Sequence, residues 1–440
     1  MNLRNLTIII ILFASGLSIN GQNSDTLKDD RLSVHFQATV VYQFKPAFSV
    51  KYSGVNSLQP QQENKTSLTS TLFLGIRLWK GASFFVNPEI AGGYGLSSTL
   101  GIAAAPNGET YRIGDPAPQV YLARLFYRQI FPLSAGKRYQ ESDLNRLGEH
   151  LPDQYIAFTI GKGGISDYFD ANQYSHDPRT QFMSWALMSN GAWDYPANTR
   201  GYTPSIIIEF VTPRHELKYG ISLVPLSANG MDMNWQILLA NSNTLEYTYR
   251  YKLNKRSGAI RLLGFFTTAN MGNYKQSMAL DPQSPVIEHT REYGHSKYGF
   301  GINAEQEIND FSGCFFRAGW NDGNNETWAF TEIDHTISAG ITITGAKWKR
   351  NNDNIGLAFV ASGISEPHRK YLQSGGLGFM LGDGNLDYGG EYLTELYYSA
   401  ELVKRYIYLS GAYQLLINPA YNTDRKGFVN IFSVRLHAKI

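Results

Sequence analysis

Runs of about 9 to 13 residues that alternate between apolar and polar side chains recur along the whole chain, and such runs fit extended strands and little else. The clearest is Leu245, Tyr247, Tyr249, Tyr251 and Leu253, interleaved with Glu246, Thr248, Arg250 and Lys252. The same period places Val34, Phe36, Ala38, Val40, Tyr42 and Phe44 on one face and His35, Gln37, Thr39 and Gln43 on the other. It returns at Leu72, Leu74, Ile76 and Leu78, and at Leu217, Tyr219, Ile221 and Leu223. Strands of soluble sandwiches usually run about 5–6 residues, whereas a tilted strand that crosses a bilayer needs about 9–11. The run length therefore assigns the apolar face to hydrocarbon and the charged face to an aqueous interior.

About sixteen segments carry the pattern, near 32–44, 68–79, 82–90, 121–131, 154–163, 202–211, 215–226, 243–253, 259–268, 297–308, 311–320, 334–345, 354–362, 390–402, 406–417 and 428–440. An even number lets an antiparallel sheet close on itself, which hydrocarbon demands because an open edge leaves backbone groups unsatisfied. The fold class expected is all-β, a transmembrane antiparallel barrel of about sixteen strands, wide enough to hold a channel. Connections alternate between short (Lys80-Gly81, 212–214, Asn309-Asp310, 403–405) and long (46–67, 91–120, 164–201, 269–296, 363–389), with long loops outside and short turns in the periplasm. The exception is 132–153, a long connection where a short turn is due, in which Glu141 to Leu147 is expected to form one or two helical turns.

The chain opens with Arg4, an apolar run from Leu6 to Leu17, and then Ser18, Asn20 and Gly21. This reads as a secretory signal peptide, 1–21, cleaved after Gly21, ahead of a single barrel domain, 22–440. The run falls short of the roughly 20 apolar residues of a spanning helix. One cysteine, Cys314, rules out an internal disulfide framework, and a net charge of +2 gives no reason to expect nucleic acid as a partner.

Charges borne on strands must face the lumen, since Arg or Lys at the lipid midplane costs about 2–4 kcal/mol. That rule turns Arg77, Glu89, Arg124, Arg128, Glu246, Arg250, Lys252, Glu305, Glu307, Glu391, Glu395 and Arg435 inward. Both signs are evenly represented, which suits neutral hydroxylated solutes better than ions, although such residues also serve simply by pairing with one another along the wall.

Within 164–201, Asp177 is a good helix N-cap, Pro178 sits at the first helical position and Gly191 offers a stop, so a helix over 178–189 is expected. Its apolar residues Phe182, Trp185, Ala186 and Met188 should turn the loop back into the barrel and narrow it. Trp185, Trp193 and Trp235 are candidate stacking surfaces for sugar rings, or else anchors of the loop. Asp167, Asp170, Asp177, Arg179, Asp194 and Arg200 are candidate partners for hydroxyls.

Signatures of catalysis are thin. There is no G-x-S-x-G, H-E-x-x-H or Walker-type loop. Asp383, Asn385 and Asp387 match the first ligands of a calcium loop, but Tyr388 replaces its glycine and Thr394 its closing glutamate. Glu391 and Glu395 lie about 13 Å apart along a strand, beyond the roughly 5–9.5 Å of a glycosidase pair. No enzyme activity, cofactor or metal is expected, and a lipid- or polysaccharide-directed enzyme stands as the minor alternative.

Four stretches, NPEIAGGYGLSSTLGIAAAPNGETYRIGDPAPQVYLARLFYRQ, SDYFDANQYSHDPRTQFMSWALMSNGAWDYPANTRGYT, NDGNNETWAFTEID and GLGFMLGDGNLDYGGEY, resemble the carbohydrate-selective porin family (OprB-type) of Gram-negative outer membranes. The likeness implies a sixteen-stranded barrel for facilitated diffusion of small carbohydrates, narrowed by inward loops, and adds weight to Glu89, Asp177 and Arg179 as pore residues. A general porin for small polar solutes or anions is the alternative. The partners expected are small carbohydrates and outer-membrane lipids, with monomer and homotrimer both open. Outer-membrane barrels usually end in an aromatic residue that the assembly machinery reads, whereas this chain ends His437-Ala438-Lys439-Ile440.

Overall fold

A computed structural model describes residues 28–110, 117–425 and 427–440; the expected signal peptide lies outside these. The strands are β1 (Leu32–Lys45), β2 (Glu63–Trp79), β3 (Ala82–Gly93), β4 (Gln119–Pro132), β5 (Lys137–Gln140), β6 (Glu149–Pro152), β7 (Tyr155–Gly163), β8 (Thr203–Val211), β9 (His215–Ser222), β10 (Asn241–Leu253), β11 (Arg256–Thr268), β12 (Ser296–Asn309), β13 (Ser312–Asn321), β14 (His335–Gly345), β15 (Arg350–Gly363), β16 (Glu391–Val403), β17 (Ile407–Ile417) and β18 (Val429–Lys439). All except β5 and β6 form one closed antiparallel barrel of sixteen strands, each paired with its neighbours in sequence. Closure runs between β1 and β18, from Gln37 opposite Lys439 to Phe44 opposite Phe432. With no edge left in the sheet, every strand satisfies its backbone groups without water.

The expected faces are those observed. On β1, Gln37, Thr39, Gln43 and Lys45 are buried inside while Val34 and Tyr42 are exposed. On β10, Thr244, Glu246 and Thr248 point in, and Leu245, Tyr247 and Tyr249 point out. Pro88 lacks an N–H and sits where the register of β3 shifts against β4, the place in a sheet where proline is tolerated.

At one end the turns are tight. Asn254 and Lys255 both take positive φ, 50° and 69°, the conformation a two-residue hairpin of this twist demands. The 132–153 connection at this end corrects the expectation of a helical turn: β5 and β6 pair as a hairpin, and 141–147 is a tight reversal closed by Asp143 and Arg146 with Asn145 at φ 54°. Asp143 accepts from the N–H of Leu144 and pairs with Arg146, so local side-chain bonds favour the turn over the helix.

At the other end the long loops fold inward and carry the short helices α1 (Trp185–Met188), α2 (Tyr274–Leu280) and α3 (Glu366–Gln373). The main apolar cluster lies here, inside the barrel, where Phe182, Trp193, Phe315, Phe330, Tyr397 and Tyr421 pack together. No helix among the described residues is long and apolar enough to cross a membrane.

Candidate functional site: an eyelet in the lumen

The wall charges hold the loops in place. Glu395 on β16 accepts from the backbone N–H groups of Met183 (2.7 Å) and Ser184 (3.0 Å). Arg435 on β18 donates to the carbonyls of Pro178 (2.6 Å) and Gln181 (2.7 Å). Arg317 on β13, fully buried, donates to the carbonyls of Ser175 and Leu187 and to the Asp170 carboxylate. Glu246 and Glu305 accept from the N–H groups of Asp170 and Gln173. Glu391 does the same for Ala103 and Ala104 in the loop after β3, and for Ala420.

These bonds shorten the expected helix. Asp177 does bind the N–H of Arg179 and the hydroxyl of Thr180, and the N–H of Gln181 reaches its carbonyl, so one turn starts as expected. Arg435 then takes the carbonyls of Pro178 and Gln181, and Glu395 takes the N–H groups of Met183 and Ser184. The helix restarts only as α1, with Ser184 as N-cap, and Gly191 has no positive φ. Charged wall partners have outcompeted the intrahelical bonds.

The loop plug fills the lumen beside β10–β18. Among the described residues a cavity of about 720 Å³ stays open against β1–β4 and β7–β9. Glu89, Arg124, Asp167, Asp177, Arg179 and Arg200 all border it and form the charged cluster of the eyelet, and Arg128 and Trp185 also belong to the lining. Arg124 grips Asp167 with two parallel bonds of 2.7 and 2.8 Å. Arg128 pairs with Glu209, and Arg179 bonds Glu109 at 2.9 Å with Glu89 at 3.7 Å. Glu89 also accepts from Thr71, Tyr121 and Tyr202. Arg200 lies over the Tyr121 ring at 4.1 Å and Arg124 over that of Tyr202 at 5.1 Å. Two donors stay free of protein partners, Nη1 of Arg124 and Nε of Arg200.

Charge pairing sets the protonation of the loop carboxylates. Burial raises Asp167 and Asp177, but Arg124 and Arg179 respectively outweigh it and hold both carboxyls below the usual range. At Glu109 burial wins over Arg179 and the carboxyl is raised. Burial, reinforced by Arg317, lowers His176 and favours its neutral ring.

The other candidates lie elsewhere. Trp193 is 1% exposed, wedged between Phe169 and Tyr195 in the plug. Trp235 is 75% exposed on an outer loop and does not border the cavity. Asp170 is consumed by Arg317, Asn303, Ser189 and the N–H of Asn190. Asp194 accepts from the N–H groups of Trp328, Ala329 and Phe330. The aromatic surface that does line the cavity is Trp185, stacked on Phe330 at 5.4 Å, with Tyr195 at 4.0 Å from Phe330. Sequence reasoning missed Phe330, Tyr195, Tyr202 and Glu109, which come from three different loops. Only the concentration of aromatics in ETWAF hinted at the first. Among the described residues no cluster is placed to hold a metal ion, and Asp383 of the calcium-like stretch is paired with Arg425 instead.

The barrel with its inward loops has relatives. The structure of OprB from Pseudomonas putida at high pH superposes with a TM-score of 0.69 at 16% identity, covering 93% of this chain and 94% of that one. The low-pH structure of the same protein gives 0.49 at 10% identity over 93% of each chain. The outer membrane channel DcaP of Acinetobacter baumannii gives 0.49 at 8%, covering 93% of this chain and 97% of that one. No curated protein sequence matches the chain significantly. The family described as carbohydrate-selective porin, OprB family, matches residues 55–439. A closed sixteen-stranded barrel, a lumen narrowed to a polar and aromatic eyelet, and a family match over nearly all of the described chain together make this protein a member of the OprB family of carbohydrate-selective porins of the bacterial outer membrane.

Proposed function

We propose that neutral small sugars are selected at the ring of Glu89, Arg124, Asp167, Asp177, Arg179 and Arg200, with Trp185 and Phe330 as the apolar surface for the flat face of a pyranose. One observation carries this reading: the guanidiniums Arg124, Arg128 and Arg179 are each matched by a carboxylate, so the ring offers donors and acceptors at close quarters without a strong excess of either sign. Arg124 and Arg200 both border the cavity, where their guanidinium groups can donate to hydroxyl oxygens.

Transport in this account is passive, and no bond of the solute is made or broken. The carboxylates that would be the best acid and base, Glu391 and Glu395, are occupied by backbone N–H groups. The transport unit is one chain, because the eyelet is complete within it, so a homotrimer would be three pores in parallel, each set in lipid by its apolar outer face. Export depends on the segment 1–21.

Swelling of liposomes containing the purified protein tests the proposal. A neutral monosaccharide is expected to enter faster than a uronate or amino sugar of the same ring size. Equal or faster entry of a charged analogue would overturn it in favour of a general or ion-selective pore.

A further inference from the structure

The eyelet lies toward the loop end, but the cavity continues past it to the end with short turns. There it meets the one connection that is not short. Gln140, Leu144, Arg146, Leu147, Glu149 and Leu151 of the β5–β6 hairpin all border the same cavity that Arg124 and Arg179 border above.

The hairpin is built into the mouth of the barrel. Leu147 is 1% exposed and packs on Phe85 and Phe126, two inward-facing wall rings stacked at 4.9 Å. Leu151 packs with Ile130 and Tyr155. These apolar contacts anchor the hairpin, while Gln140, Asp143, Asn145, Arg146 and Glu149 bring polar side chains to the cavity beside Leu144.

A set of latches holds the hairpin there. Asp30, just before β1, donates its N–H to the Gly148 carbonyl (2.6 Å), and its carboxylate accepts from the Gly148 N–H (3.0 Å). Asp29 accepts from both the N–H and the ring of His150. Arg77 of β2 reaches Asp29 and Glu149, each at 3.3 Å. His35 and Ser33 of β1 bond Ser142. A turn whose task was only to connect β4 to β7 would need neither an apolar anchor between two wall rings nor ties to two other strands.

We propose that the β5–β6 hairpin is a second selectivity filter, in series with the eyelet and discriminating by the cross-section of the sugar. The eyelet chooses chemistry through hydrogen bonds and stacking. The collar formed by the hairpin, held in the barrel mouth by Leu147 on the rings of Phe85 and Phe126 and presenting Leu144, Asn145 and Arg146 to the cavity, sets the size limit for leaving the lumen. This inference rests on the proposed route through the cavity, yet its readout is separate from that of the eyelet.

The test is a size series of neutral mono-, di- and trisaccharides in liposome swelling. Two variants, each checked for a folded barrel by heat-modifiable electrophoretic mobility, move the limit in opposite directions. Shortening 141–148 to a tight turn is expected to raise trisaccharide entry by about tenfold while monosaccharide entry stays within about twofold, since pore diameter sets the cut-off. Leu144→Trp, a half-buried site on the cavity side of the tip, leaves the anchor Leu147 in place and is expected to slow disaccharides by about tenfold relative to monosaccharides. If the shortened hairpin does not assemble, Leu144→Trp decides alone. An unchanged size profile in the folded variants would overturn the second filter. Failure of the eyelet reading would show instead as equal entry of neutral and charged monosaccharides into liposomes with the unaltered protein.

Discussion

At the scale of single residues, the two tryptophans of the 164–201 loop have different work. Trp185 borders the cavity and donates its ring N–H to the Asn107 carbonyl, while Trp193 is sealed in the plug. Trp185→Ala is expected to weaken sugar block of the ion current with the barrel intact. Trp193→Ala should instead loosen the plug, at about 3–5 kcal/mol for a buried aromatic, seen as a noisier open channel. Equal loss of sugar block in both would contradict this division. Glu109 supplies a pH dependence. Burial raises its carboxyl despite Arg179 and Thr69, with Asp177 and Glu89 as neighbouring like charges. As pH falls through that raised value Glu109 takes up a proton earlier than an ordinary glutamate would, and Arg179, whose own pKa is raised, stays charged. The eyelet becomes more positive, so the reversal potential in a salt gradient should move toward anion preference on acidification. A constant reversal potential, or a shift toward cations, would contradict the assignment. The alternation made Glu89, Arg124 and Arg128 legible as inward residues. Burial of Trp193 and exposure of Trp235 were not, because position in a folded loop has no period to read.

At the scale of elements, the strands dictate where the loops lie. Wall charges including Lys218, Glu246, Glu305, Arg317, Glu391, Glu395 and Arg435 end on loop backbone. Removing one partner of such a buried set leaves the others uncompensated, which costs about 3–5 kcal/mol. Arg317→Met is therefore expected to release the 164–201 loop, raising single-channel conductance and current noise; unchanged conductance in a folded barrel would contradict the clamp. The faces of one strand give a second contrast. Tyr247→Arg, in the middle of β10 and facing lipid, should impair assembly by about 2–4 kcal/mol. Arg250→Gln, which removes one of the two cationic partners of Glu216 inside and leaves Lys218, should assemble normally, and equal defects would invert the face assignment. Strands were legible because their period of two is imposed by lipid on one side and water on the other. The full helix at 178–189 was misread because tertiary partners, Glu395 and Arg435, decide that backbone, and the helical turn at 141–147 because the side chain of Asp143 satisfies the local backbone and Arg146 in a tight reversal.

At the scale of the whole molecule, sixteen strands and closure followed from counting alternating segments, since an even antiparallel sheet without edges is the solution hydrocarbon permits. The asymmetry of the lumen did not follow: seven connections contribute to the plug and leave the route against β1–β4 and β7–β9, an arrangement set by contacts between loops remote in sequence. Solutes are proposed to cross this remaining route past the Arg124–Asp167 and Arg179–Glu109 pairs. Single-channel recording in a planar bilayer, with a neutral monosaccharide titrated into the bath, tests it most directly when the intact protein is compared with Arg124→Ala and Arg179→Ala. The intact channel should show concentration-dependent block by the sugar, and each variant should weaken that block by about tenfold, the equivalent of one lost hydrogen-bonding group at roughly 1.4 kcal/mol. Undiminished sugar block in both folded variants would place the binding site elsewhere in the lumen and contradict the account.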